Sequence, residues 1–205
     1  MKVLLPIAYL GPISYFAIIL KAEEVHIESK EHFVKQSVRN RCSILGANGK
    51  QTLTIPKQRK SSDKTIIEEI HISNKDKWQK LHWQSIVSAY NSSPFFDYYK
   101  DELEYFYNST FINLFDFNLN LTHKILQLLQ EERELKITTQ FQANFSGIDF
   151  RNHTFNTEKE NKYEQVFTEK HDFTPHLSIL DLLFNLGPET EEYLLNLDLN
   201  IPAKN

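Results

Sequence analysis

Met1-Lys-Val-Leu-Leu-Pro-Ile-Ala-Tyr-Leu-Gly-Pro-Ile-Ser-Tyr-Phe-Ala-Ile-Ile-Leu20 opens the chain as one apolar run broken at three places. A lysine followed by about 20 mostly apolar residues has the length of a secretory or membrane segment. Pro6, Gly11 and Pro12 interrupt it, and no small-residue cleavage site follows. Proline fixes φ and removes a backbone donor, so these breakers fit a buried strand over 2–8, a turn at Gly11-Pro12 and a helix over 13–22. Glu24-Val-His-Ile-Glu28 then alternates as a second strand. The opening reads as core rather than leader. A cytoplasmic chain with no integral membrane segment is therefore expected, and the Asn-x-Ser/Thr triplets at Asn91, Asn108, Asn120, Asn144 and Asn152 carry little meaning.

Downstream, segments 38–45 and 51–55 flank Gly46-Ala-Asn-Gly49, whose residues tolerate positive φ, and predict a β-hairpin. Residues 57–64 read as a polar, basic surface loop and 68–72 as another strand. From Lys75 the period becomes helical: Trp78, Leu81, His82, Ser85, Ile86 and Ala89 recur on one side, with Asn74 as N-cap. Ser93-Pro94 predicts the start of a second helix reaching 107, and 111–132 reads as a third. Residues 135–141 return to strand-like alternation, and 147–162 reads as a loop or a local insertion. Ser178 opens a final helical pair, with Asp181 three residues on as in a capping box, Gly187 as C-cap and a last helix over 189–195. The class predicted is α/β, with α+β as the variant: a central mixed sheet and a helical subregion at about 75–132 in a single domain spanning 1–205.

The composition agrees. Of 205 residues, 40% are hydrophobic and 24% charged, a globular balance, and fifteen Phe with nine Tyr point to aromatic packing. A net charge of -4 lacks the basic footprint of a nucleic-acid binder. The single Cys, Cys42, excludes an internal disulfide and is expected to be buried and inert, despite Arg41 beside it. Eight histidines lack metal spacing, His171 and His176 standing five apart across a proline, so no metal or cofactor is expected. No phosphate loop, His-Glu-x-x-His or Gly-x-Ser-x-Gly pattern is present in the sequence.

Two constellations point to chemistry. In an extended 35–43, Lys35, Ser37, Arg39, Arg41 and Ser43 share one face, and two Arg forks there would hold phosphate or carboxylate oxygens. The plainer alternative is a solvated strand face paired with acids such as Glu28 or Glu31. On the 178 helix, Ser178, Asp181 and Asn185 fall within a narrow arc amid large apolar neighbours. They form either a polar stripe facing a pocket, with Asp181 as base or ammonium anchor, or ordinary helix-end partners.

Tyr9-Leu-x-Pro12 with Tyr15-Phe16, Lys35 with Arg39-Asn40-Arg41, Leu53-Thr-Ile-Pro56, Pro94-Phe95-Phe96, and Tyr163-x-Gln165 leading to Leu177-Ser-Ile-Leu-Asp-Leu-Leu-Phe-Asn-Leu-Gly187 together resemble the WbqC-like family. The resemblance spreads over most of the chain. It implies a surface-polysaccharide setting and, for some members, transfer of glycine onto an amino sugar. It also implies convergence of Arg39, Asn40, Arg41, Tyr163, Gln165, Asp181 and Asn185. Two departures stand out: Leu5 precedes Pro6 where the family commonly has Gln, and the glycine-rich segment before Tyr-x-Gln is reduced to Asn144-Phe-Ser-Gly147.

Three functions follow as expectations. In the first, an enzyme of surface-glycan assembly joins glycine or another acyl or aminoacyl group to an amino sugar, with Asp181 and Asn185 catalytic. Its substrate, a nucleotide-activated amino sugar, would be bound by Lys35, Arg39, Asn40, Arg41, Tyr163, Gln165 and Ser178. In the second, a non-catalytic module binds an anionic metabolite or glycan precursor. The third, a nucleotide-activating enzyme suggested by the strand, Gly-Pro turn and helix, lacks the histidines usual at such a turn. The site is expected between the Arg39-Asn40-Arg41 segment and the Ser178 helix.

Overall fold

Val3, Leu4 and Leu5 are fully buried, as a strand covered on both faces of a parallel sheet requires. In the computed structural model, which describes residues 1–58, 64–157, 160–199 and 201, they form β1 (Lys2–Pro6). The chain continues through α1 (Ile13–Lys21), β2 (Glu24–Glu28), the hairpin β3 (Arg41–Gly46) and β4 (Gly49–Thr54), then α2 (Trp78–Tyr90), α3 (Phe96–Asn108) and α4 (Leu114–Leu128). It closes with β5 (Leu135–Ile137), β6 (Ile148–Asp149), α5 (Thr168–His171), α6 (Ile179–Leu186) and α7 (Thr190–Asn196). The main sheet has the order β5-β2-β1-β6 and all its pairings are parallel. Among the described residues, antiparallel pairing between strands is confined to the separate two-stranded hairpin, from Arg41↔Thr54 to Gly46↔Gly49. The α/β class holds, with two sheets sharing one continuous core.

Gly11 sits where the chain leaves β1 for α1. A Cβ there would lie 2.8 Å from the Tyr15 ring and 3.2 Å from Ala8, so only glycine permits this close approach. The Tyr15 hydroxyl donates to the Pro6 carbonyl at 3.0 Å and closes the same turn. Helix α1 is buried from Ile13 to Leu20 and packs against α6 and α7. The three central helices meet the rest of the molecule through aromatic rings. The Tyr9 hydroxyl, just past β1, lies 2.9 Å from His82 Nδ1 of α2 and 2.9 Å from the Tyr107 hydroxyl of α3. Burial pushes the His82 imidazole down to about 4, which keeps it neutral in this contact.

Several elements differ from the sequence reading. Residues 68–72 are not a strand: a 3-10 turn, Ile67–Glu69, occupies the start, followed by isolated bridges at His71 and Ile72. With three residues per turn, Ile67 and Ile70 fall on one side, and both are buried. Asn74 does not cap α2; its carbonyl oxygen accepts from Trp78 Nε1 and its amide donates to the Phe111 carbonyl. Ser93 turns back to the Tyr90 carbonyl at 2.6 Å, so it closes α2 instead of opening α3. The segment read as a loop over 147–162 holds β6, which extends the sheet through Val3↔Ile148 and Leu4↔Asp149. Most of the surface loop predicted over 57–64 lies outside the described residues. Cys42 is buried and burial pushes its thiol far up, so it is inert as expected. Among the described residues, no helix is long and apolar enough to cross a membrane.

Candidate functional site

The C-terminal ends of parallel strands open onto loops, which is where open α/β sheets place ligands. Here the loop after β1 is tied to distant elements by Ser178. Its hydroxyl donates to the Leu10 carbonyl at 2.8 Å, and its backbone N–H donates to the Ser43 carbonyl of β3 at 2.8 Å. The same hydroxyl accepts from Leu180 N at 3.3 Å and so caps α6. One residue thus fixes the β1–α1 turn, the hairpin and the start of α6 together. Between them lies a cleft of about 560 Å³. Its walls are Leu10 and Pro12, the 34–39 loop, Arg41 and Ser43 on β3, Lys50 on β4, residues 151–156 and residues 176–178.

Among the described residues, no aspartate or glutamate lines this cleft, whereas Arg39, Arg41, Lys50, Arg151 and the imidazoles of His153 and His176 do. The four cations are not equivalent. Arg39, 3% exposed, donates from Nε to Glu31 Oε1 at 2.8 Å and from Nη2 to Glu31 Oε2 at 2.5 Å. Its Nη2 also donates to the Arg151 carbonyl at 3.1 Å. Burial raises Glu31 above the usual carboxylate range, and the Arg39 fork pulls it back. Arg151 is neutralised by Asp149 at 2.6 Å and by the buried Glu28 at 3.1 Å. Among the described residues Lys50 donates only to carbonyls, those of His176 at 2.9 Å and Pro175 at 3.4 Å. Arg41 makes no side-chain hydrogen bond or ion pair among the described residues, although its Nε is buried. A guanidinium without a counter-charge at the wall of a cleft is suited to a planar, bidentate anion.

The expected face of alternating cations is corrected by this geometry. Residues 35–40 are not extended: Gln36 has φ 59, and the Asn40 and Arg41 amides both donate to the Ser37 carbonyl. The turn delays β3 until Arg41 and sends Arg39 inward. Arg39 does meet Glu31, as the plainer alternative had it, but in the interior and not on a solvated face. Lys35 is exposed and does not line the cleft. Asn40 is buried, its amide donating to the Ile55 carbonyl at 3.1 Å.

A second polar group lies behind the cleft. Asp181 Oδ2 accepts from the Tyr163 hydroxyl at 2.6 Å and from Gln165 Nε2 at 2.9 Å. Gln165 also exchanges two bonds with Thr174, 3.0 and 2.9 Å long, which closes the 165–174 loop. Asn185 donates to the Asp181 carbonyl at 2.7 Å, one helical turn back. Asp181 therefore completes no capping box, because the Ser178 N–H it would have taken belongs to Ser43. Burial pushes Asp181 up to about 6, against the hydrogen bonds of Tyr163 and Gln165. At 1% exposure it does not reach the cleft lining. The seven residues expected to converge thus divide. Arg39 and Arg41 stand at the cleft with Asn40 buried between them in the chain, and Tyr163, Gln165, Asp181 and Asn185 lie behind it.

Both places fall within what the chain shares with known proteins. The model of the WbqC-like protein family matches residues 8–150 and 139–193. The chain belongs to this family. The uncharacterized protein Rv1507c of Mycobacterium tuberculosis (strain ATCC 25618 / H37Rv) is 26% identical over 214 residues, covering 88% of this chain and 91% of that protein. No solved structure matches. The WbqC-like segments include Arg41, Arg151, His176 and Asp181, and hence the whole wall of the cleft and the cluster behind it.

Sequence reasoning misses four cleft residues of this WbqC-like chain. Lys50 and Arg151 sit in a hairpin arm and an expected loop, with no periodicity to single them out. His153 and His176 show no metal spacing in the sequence, and among the described residues no group of three His, Cys, Asp or Glu is placed to hold a metal ion. One available signal is the Phe173-Thr-Pro-His segment, where an imidazole follows a proline directly before the Ser178 cap.

Proposed function

We propose that the chain binds a phosphorylated small molecule in the cleft, with Arg41 and Lys50 holding its anion. The observation that carries this reading is the Arg41 guanidinium, at the wall of a cleft with no lining carboxylate and with no counter-charge among the described residues. Three further facts support it. The volume, about 560 Å³, is in the range of small-molecule sites. The cleft opens at the loop following a parallel strand. Leu10, Gln36 and His176, with φ of 42, 59 and 59, all line it, and such left-handed backbone persists where surrounding structure over-determines it. The substrate class implied by the WbqC-like resemblance, a nucleotide-activated amino sugar of surface-polysaccharide assembly, carries the diphosphate that Arg41 suits.

Transfer of glycine or another acyl or aminoacyl group to that amino sugar is the finer reading. In it, Asp181 and Asn185, expected as catalytic, and Tyr163 and Gln165, expected as substrate-binding, become positioning residues because none of the four lines the cleft; their bonds hold α6 to the 163–174 segment. The test is a thermal-shift and calorimetric titration with UDP-N-acetylglucosamine and with pyrophosphate. Saturation at about 100 times Kd stabilises a protein by about 2.7 kcal/mol, a readily visible rise in Tm. Wild type is expected to show it and Arg41→Ala to lose it. A rise of equal size in Arg41→Ala, or no binding by a folded wild type, sinks the reading.

A further inference from the structure

His176 is held more firmly than its place in a loop requires. Glu160 Oε1 lies 3.1 Å from its Nδ1, and the two Glu160 oxygens accept from its backbone N–H at 3.1 and 3.2 Å. The Glu160 side chain is 1% exposed and also accepts from the Thr157 hydroxyl at 3.3 Å. From the other side, Lys50 Nζ donates to the His176 carbonyl. The backbone itself is left-handed, φ 59, a conformation a β-carbon disfavours. Donor, acceptor, side chain and backbone of this one residue are all constrained, while its ring lines the cleft, 29% exposed.

A carboxylate only accepts, so Nδ1 carries the hydrogen toward Glu160 and, in the neutral ring, Nε2 is left as the acceptor. Nε2 has no partner among the described residues. The other polar side chains at the described wall are three arginines, Lys50, the second imidazole His153, and hydroxyls and amides that serve as donor or acceptor in turn. In His176 the acceptor is imposed by a buried carboxylate behind it. We infer that His176 is a specificity-determining residue: its Nε2 accepts a hydrogen bond from an amino or hydroxyl group on the ligand whose anion sits at Arg41. The ligand class narrows accordingly to phosphorylated molecules bearing a proton donor beside the phosphate, such as amino-sugar or sugar phosphates, over bare phosphate esters. This inference rests on the proposed anion site.

The experiment compares two probes, glucosamine 6-phosphate and methyl phosphate, by isothermal titration. One well-placed hydrogen bond corresponds to about a ten-fold preference for the amino-sugar phosphate in wild type. Two variants separate the acceptor from its surroundings. His176→Asn keeps a residue type that tolerates positive φ but withdraws the ring, and it is expected to lose the preference to within about two-fold. Glu160→Gln keeps the buried shape, and its amide oxygen in the place of Oε1 accepts from the His176 N–H and from Nδ1–H, so Nε2 stays an acceptor and the preference is expected to persist. Equal binding of the probes by wild type, or a preference that survives in His176→Asn, overturns the role of His176 and leaves the anion site standing. Failure of wild type to bind either probe overturns the anion site and this inference together.

Discussion

Asp181 connects protonation to stability in a way one substitution isolates. Its carboxyl has an ordinary value of 3.8 and is pushed up to about 6 in the folded chain by burial, with the Glu160 charge adding to the push. A tenfold change in proton affinity is worth about 1.36 kcal/mol, so a carboxylate held ionised there costs about 3 kcal/mol relative to the unfolded chain. The folded value lies above the unfolded one. The folded chain therefore binds the proton more tightly, and the cost is absent below about pH 4, grows through about pH 5 and is complete above about pH 6. The variant Asp181→Asn has no such titration, while its amide oxygen still accepts from Tyr163 or Gln165. Glu31, raised by burial, and His82, lowered to about 4, titrate in both proteins and cancel in the difference. The assay is urea unfolding of both proteins at about pH 4, 5, 6 and 7, with the m-value checked for constancy. The stability of Asp181→Asn minus that of wild type is expected to rise by about 2.5 kcal/mol across this range. A difference that stays flat with pH refutes the argument, because the carboxylate would then be as well solvated in the fold as outside it.

Two further substitutions test the frame around the cleft. Glu31→Gln leaves the Arg39 guanidinium buried without its counter-charge and is expected to lower stability by about 3–5 kcal/mol in urea titrations, whereas the paired replacement Arg39→Met with Glu31→Leu recovers most of it. Full stability of Glu31→Gln alone would show that the pair is not desolvated. Gly187→Ala places a Cβ 2.5 Å from the Phe95 ring at φ 54, so calorimetry should show a loss of about 2 kcal/mol or more. An unchanged Tm would mean that this helix end is not held against Phe95.

Much of the fold was legible because it is written in local pattern. Pro6, Gly11 and Pro12 set the strand, turn and helix at the start, and the strand predicted over 24–28 is β2 as observed. The Gly46–Gly49 segment set the hairpin, with the arms shifted by a few residues. Gly187 ends α6 at positive φ, as a C-cap glycine should. Reading stopped where a segment was too short or its polar groups were committed elsewhere. Two-residue β6 offers no periodicity, and its strand character comes from Val3 and Leu4 alongside. Asn74 and Ser93 had the chemistry of N-caps but found nearer partners in Trp78 and Tyr90.

For the site, residue chemistry in the sequence marks Arg39 and Arg41 around Asn40, and Ser178, Asp181 and Asn185 amid apolar neighbours, while the family resemblance adds Tyr163 and Gln165. Which of them stay free depends on packing between distant segments. Glu31 meets Arg39 from eight residues away and withdraws its charge, and Tyr163 and Gln165 close over Asp181. Arg41 is left at the cleft, and Glu160 fixes His176 from sixteen residues upstream. The reason is physical. Periodicity and turn chemistry act over a few residues, whereas a buried charge or donor must find a partner wherever the packed chain brings one.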